Sequence, residues 1–341
     1  MRNSVSRRSA SAIWVLLCLP FAGCGRYADF TLPPLTGGAA PRWAWSAREA
    51  PVLPRGDWDS QDVLNPSVVR RENLYYNFYS GFDGRTWHTG LATSTDGIAW
   101  QKQGRVLSPD AKTWEGDYIA ANGTALVVNG EFFYWYQAGP KDSPSIAMAR
   151  SGDGRSWVRQ NAAVVGHGPR GSWDERATGD PYVIRLEDGY FYMYYLGEDR
   201  ARRQRLGVAR SRDGVTWEKL RASPVVELGG AGAFDEEGLG EPAVWKSDGW
   251  YWMLYTGRDR KENRRLGLSR SADGVKWERT PLVIAGESAW DGKVVCDPSV
   301  EAVAGGVRVW FGGGDVASPD ENLHGAIGLG SLRPVGATLS K

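Results

Sequence analysis

Four copies of one seven-residue pattern, Ser-x-Asp-Gly-x-x-Trp, recur along this chain: Ser94 to Trp100, Ser151 to Trp157, Ser211 to Trp217 and Ser271 to Trp277. Their tryptophans lie 57, 60 and 60 residues apart. A fixed period of that size marks a repeat architecture, in which each unit stacks on its neighbours because it cannot bury its apolar face alone. The Asp-Gly pair suits a tight turn, since Gly accepts a positive φ without a steric penalty. The Trp that follows is large enough to fill the gap between units, so the pattern itself reads as structural.

The third and fourth repeats show the unit most clearly. Trp173-Asp174 and Phe234-Asp235 open them, and Asp180-Pro181 and Glu241-Pro242 follow. Aromatic runs come next, Tyr190 to Tyr195 and Trp250 to Tyr255. A charged loop leads to Leu206 to Ala209 or Leu266 to Ser269, then the Asp-Gly turn, then a last apolar stretch at Pro224 or Pro281. Each repeat thus holds four runs rich in β-branched and aromatic residues, broken by Gly, Asp and Pro, with no long stretch of helical period. Four strands per radially repeated unit is a propeller blade.

Openings at Trp58, Trp114, Trp173, Phe234 and Trp290 predict five blades of four antiparallel strands, an all-β five-bladed β-propeller over residues 42–335. The fifth repeat lacks its turn and last strand. The segment Arg42 to Trp45, Pro51 to Leu53 and Trp58-Asp59 repeats the end of the fourth, so it is expected to supply the outer strand of the last blade and close the ring.

Arg2, Arg7 and Arg8 precede an apolar run that ends Phe21-Ala22-Gly23-Cys24. Residues 1–23 read as a signal peptide, too short for a permanent span. The ending resembles a bacterial lipobox, with Phe21 at the position where Leu is usual. That resemblance implies lipidation of Cys24, anchorage in the cell envelope (the outer membrane where there is one) and a periplasmic or extracellular address; an ordinary secretory signal is the alternative. Residues 24–41 read as the lipidated Cys and a flexible tether reaching roughly 20–25 Å, and 336–341 as a tail. A net charge of +1 argues against a nucleic-acid partner. With only Cys24 and Cys296 left after cleavage, no disulfide framework is expected. A monomer is expected.

The first strand of each repeat should start at the x-Pro position (Asn122-Gly123 in the second), beside the central opening. Those positions hold Asn65, Asn122, Asp180, Glu241 and Asp297. Three acids in consecutive equivalent positions suggest paired-carboxylate chemistry, because like charges in a narrow cleft push their pKa values apart. Glycoside hydrolysis needs such a pair, one carboxyl protonated and another ionised.

Five blades, Asp-Pro or Glu-Pro openings, Tyr-rich second strands and the Ser-x-Asp-Gly-x-x-Trp turns together resemble the five-bladed arabinanase/levansucrase/invertase superfamily. It contains glycoside hydrolase families 43, 32, 62 and 68, with family 130 as a relative. The resemblance covers about residues 42–335. It implies a carbohydrate-binding funnel with three inner-strand acids as base or nucleophile, pKa modulator and acid. The chain departs from families 43 and 32 in its first two blades, which carry Asn65 and Asn122 where an Asp is expected. Either the acid set is rotated around the ring, or Asp62 or Asp117 substitutes, or catalysis has been lost. On the rotated reading Glu241 is the acid, and Asp180 and Asp297 divide the roles of base and pKa modulator.

The loops at Glu198–Arg205 and Arg258–Arg265 are strongly basic, and Arg forks suit carboxylates or phosphate. Arg205, Arg258 and Arg265 are therefore expected to bind substrate with Asn65, Asn122 and His88, the last aligned with Arg205 and Arg265; Arg205 and Arg265 have a structural alternative. The histidines are His88, His167 and His324. Some family members hold a central calcium near a His, yet no metal-ligand spacing is present, so no cofactor is expected beyond a structural Ca²⁺ implied by the resemblance. The functional expectation is a lipid-anchored glycoside hydrolase. The alternatives are a non-catalytic glycan-binding lipoprotein and a glycoside phosphorylase.

Overall fold

The structure, a computed structural model, describes residues 26–335. The signal segment, Cys24 and the 336–341 tail lie outside the described residues. Those described are all β, with no helix among them.

Four-stranded antiparallel sheets follow one another along the chain, with the strands the repeat predicts. The third is built from Ala177–Arg185, Phe191–Glu198, Gln204–Ser211 and Trp217–Leu220. The fourth is built from Gly238–Ser247, Trp250–Arg258, Arg264–Ser271 and Glu278–Ile284. The first has Val68–Arg71, Leu74–Phe82, Trp87–Ser94 and Gln101–Leu107, and the second Ile119–Val128, Glu131–Gly139, Ser145–Ser151 and Val158–Arg159. The fifth takes Val294–Val303, Gly306–Gly314 and Ala326–Pro334 from the end of the chain and Trp43–Ala47 from its beginning. That last pairing is antiparallel, with Trp45 opposite Leu332. The first and fifth sheets are also tied by Val63 N–H to the Gly325 carbonyl, and by the Asp62 carboxylate, which accepts the Asn322 and Gly325 N–H groups at 2.6 and 2.8 Å.

The Asp-Gly turns join neighbouring sheets. Ser211 Oγ accepts the N–H of Asp213 and Gly214, while Asp213 Oδ1 accepts those of Val215 and Thr216. This closed set of bonds replaces a strand ladder. It leaves the Gly214 carbonyl free to accept the Trp135 indole N–H of the second sheet at 2.7 Å. Gly97 does the same for Trp310 of the fifth sheet at 2.8 Å. Both glycines take positive φ, 76° and 72°. The motif tryptophans pack edge-on against the preceding sheet, Trp217 on Trp135 and Trp277 on Tyr194, with ring centroids 6.1 and 5.7 Å apart.

A buried acid from each opening motif anchors four of the sheets. Asp59 accepts the Tyr79 hydroxyl at 2.9 Å and the Lys102 ammonium at 2.6 Å. Asp174 does so with Tyr195 and Lys219 at 3.2 and 2.5 Å, and Asp235 with Tyr255 and Arg279 at 3.1 and 2.9 Å. Glu115 holds Tyr136 at 2.6 Å together with Arg159. Buried carboxylates persist when they are paired and hydrogen-bonded in this way.

The expected flexible tether is corrected by the structure. Arg26–Ala28 adds in parallel to Trp217–Leu220. Leu32 is wholly buried among Tyr192, Tyr194, Tyr251 and Tyr255, and Leu32 and Leu35 donate to the carbonyls of Asp273 and Ala272 at 2.9 and 2.8 Å. The Pro/Gly-rich composition hid three spaced apolar residues, Phe30, Leu32 and Leu35, that fit the seam between the third and fourth sheets.

Candidate active site

Asn65, Asn122, Asp180, Glu241 and Asp297 share one unusual backbone state, with φ of 47°, 50°, 46°, 41° and 53°. The pairing of each first strand with its neighbour breaks there, as between Gly179 and Tyr182 and between Gly240 and Ala243. A left-handed non-Gly residue costs roughly 1–3 kcal/mol, more awkwardly still before proline, where extended backbone is preferred. Asn and Asp tolerate it better than Glu241 does. The bulge turns all five side chains to line a single cavity of about 210 Å³. A second, smaller cavity of about 30 Å³ lies against the same five residues and is lined also by Pro66, Pro181, Pro242 and Pro298.

The three acids crowd this floor with one close cation. Asp297 accepts the Asn65 N–H at 3.1 Å and the Cys296 S–H at 3.0 Å. Asn122 is held by Ser80 at 2.9 Å and offers its amide N–H to Asp180 at 3.4 Å. One oxygen of Glu241 is buried with no hydrogen-bond partner among the described residues. Arg264 lines the same cavity and donates to the Ser318 and Pro319 carbonyls at 3.2 and 2.6 Å. Burial, then the charges of Glu241 and Asp297, push the Asp180 carboxyl well above the usual range. Burial and Glu241 push Asp297 up to about 7. Burial also raises the Cys296 thiol, which serves Asp297 as a neutral donor.

Of the expected substrate-binding residues, Asn65, Asn122 and Arg258 line the cavity, Arg258 with one side held by Glu262 at 2.8 Å. His88, Arg205 and Arg265 do not, and their assignment to substrate is corrected. His88 is buried, with Ser108 at 2.9 Å and Asp83 at 3.0 Å on its two ring nitrogens. Arg205 is held by Asp199 at 2.9 Å and Arg265 by Asp259 at 3.4 Å. The cause is strand alternation: successive side chains leave opposite faces. The residue before each one, Trp87, Gln204 and Arg264, faces the cavity instead. Counting by twos along the third strands would have found them. Gln137, Arg176 and Tyr118 also line the wall and carried no sequence signal. Asp62 and Asp117 do not stand in for the absent first-sheet acid. Asp62 spends both oxygens on the backbone N–H groups of Asn322 and Gly325, and neither residue lines the cavity.

Residues 66–227 match the family model described as glycosyl hydrolases family 32 N-terminal domain. A solved structure titled "Glycoside hydrolase" superposes with a TM-score of 0.68 at 17% identity, covering 92% of this chain and 95% of its own. The fold is that of the propeller glycoside hydrolases. Among curated relatives, an uncharacterised protein of Mycobacterium tuberculosis is 27% identical over 231 residues, 63% of this chain and 75% of its own length. A 1,2-beta-oligomannan phosphorylase of Thermoanaerobacter sp. is 31% identical over 123 residues, 33% of this chain and 40% of its own.

The calcium that some propeller glycoside hydrolases hold near a histidine finds no matching donors among the described residues. His88 faces Asp83, His167 the Pro144 carbonyl and His324 Asp315, and none lines the cavity. Among the described residues no group of three or more His, Cys, Asp or Glu side chains is arranged to hold a metal ion.

Proposed function

We propose that this chain is a glycoside hydrolase that cleaves a carbohydrate in the cavity by carboxylate acid/base chemistry, with its five sheets acting as the blades of one five-bladed ring. The observation that carries the reading is the convergence of Asp180, Glu241 and Asp297 on one floor with a raised Asp297. The structural acids Asp59, Glu115, Asp174 and Asp235 each have their own cation; these share Arg264. Coupled carboxyls titrate as a unit, so the cluster holds a proton at neutral pH. Glu241 has the longest side chain and is less buried than Asp180 and Asp297, so it delivers that proton to the leaving-group oxygen. Asp297, poised near neutrality, acts as the base toward water or the sugar. Asp180 tunes both. Arg258, Arg264 and Arg176 on the wall suit a sugar that carries negative charge. The signal and Cys24 would place the enzyme, as a lipid-anchored monomer, in the cell envelope, and a Cys24→Ser chain found in the soluble fraction would support that address.

The test is turnover of aryl glycosides and polysaccharides by purified protein, beside Glu241→Gln. Activity lost in the variant supports the reading. Activity that requires added phosphate would move the protein to the phosphorylases, and sugar binding with no turnover would make it a binding protein.

A further inference from the structure

The acid, phenol and cation set described for four sheets is broken in the fifth. Lys102, Arg159, Lys219 and Arg279 sit at one register position, opposite Ala92, Ala149, Ala209 and Ser269 of their third strands. In the fifth sheet that position is Ala47, opposite Gly330. Phe311 stands where the others have a tyrosine, two residues beyond Val309, the partner of Gly330. The acid remains. Asp291 is only 4% exposed. One oxygen accepts the Ser288 N–H at 2.9 Å, and among the described residues no hydrogen bond or ion pair reaches the other.

Where the cation and the phenol hydroxyl are missing, Ala47, Phe311 and Asp291 line a cavity of about 420 Å³. Asp291 lies in it beside Trp45, Phe311 and Ala47, with the exposed Glu49 and Glu287 at its edge. It shares no lining residue with the funnel. We propose that this cavity binds a primary ammonium or guanidinium group on a short alkyl stem, the group that the other four sheets supply from their own chain. The Asp291 carboxylate gives a charge-assisted hydrogen bond. The Trp45 and Phe311 rings, whose centroids lie 5.7 Å apart, give an aromatic wall suited to a cation and its stem. Burial and the nearby Glu287 hold the Asp291 carboxyl above its usual range, a strain that an arriving cation relieves. Arg48 also lines the cavity but makes no ion pair with Asp291 among the described residues.

The test is calorimetric titration of the full chain with n-butylammonium chloride, beside n-butanol and potassium chloride. Saturable binding of butylammonium alone is expected, weakened about tenfold or more in Asp291→Asn, in line with the loss of one charged hydrogen bond. Ala47→Lys should place the chain's own ammonium in the cavity, abolishing binding and raising the melting temperature, and it serves if Asp291→Asn fails to fold. Absent saturation, equal binding of n-butanol, or an Ala47→Lys protein that binds butylammonium like the parent would each overturn the proposal.

Discussion

Asp174 and Asp180 lie six positions apart in one repeat, both buried, and their surroundings differ in kind. Asp174 holds a lysine at 2.5 Å and a phenol at 3.2 Å. Asp180 receives a single amide at 3.4 Å and faces two further carboxyls. A buried charge with its own counterion secures the fold. A buried carboxyl beside like charges costs stability and is retained where its proton is used. The same contrast repeats between Asp235 and Glu241 in the next sheet, which makes it a property of the architecture rather than of one loop.

Substitutions on the two sides should therefore fail differently. Glu241→Gln should cut kcat by about 10²–10⁴, the usual worth of a general acid, with the melting temperature unchanged or higher. Retained turnover would break the comparison on the funnel side. Lys219→Met should do the reverse: it strands Asp174 and lowers the unfolding free energy by about 3–5 kcal/mol in a denaturant titration. A neutral outcome would mean Asp174 is not carrying its charge.

The pH dependence sharpens the contrast. The folded Asp297 pKa, about 7, lies above its ordinary value of 3.8, so the folded state binds that proton more tightly. Its contribution is complete below about pH 4, declines as pH rises toward 7 and is flat beyond. Asp297→Asn should remove this slope, an effect of a few kcal/mol at most in unfolding free energy measured from pH 4 to 8. Arg264→Met should raise the acidic limb of the kcat profile, because the acids lose their shared cation, whereas Arg265→Gln should leave KM unchanged. The smallest effect belongs to the turns. Ser211→Ala should cost about 1 kcal/mol, the net worth of a hydrogen bond or two at a part-buried turn, read as a shift in thermal unfolding.

Much of the site was legible because the repeat aligned it. The x-Pro positions of four units and Asn122-Gly123 of the second are equivalent in the repeat, so Asn65, Asn122, Asp180, Glu241 and Asp297 had to share a level. Their left-handed backbone was not legible, since Glu241 before a proline gives no local hint of it. The wall was misread by one residue: Arg205 for Gln204, Arg265 for Arg264, His88 for Trp87. Charge favours the arginines, but pleat decides which of two adjacent side chains faces the cavity, and its phase depends on where the strand begins.

The period, the four strands of each unit, the N-terminal strand that completes the last sheet and the level of the acids all follow from the chain read alone, because each is written in residues that repeat. What depended on the tertiary structure does not repeat. Leu32 has no counterpart in other units, so only the seam it fills reveals that the segment before residue 42 is docked. The missing partner of Asp291 could be recognised only after strand register showed which residue, Ala47 from the opposite end of the chain, stands in its place.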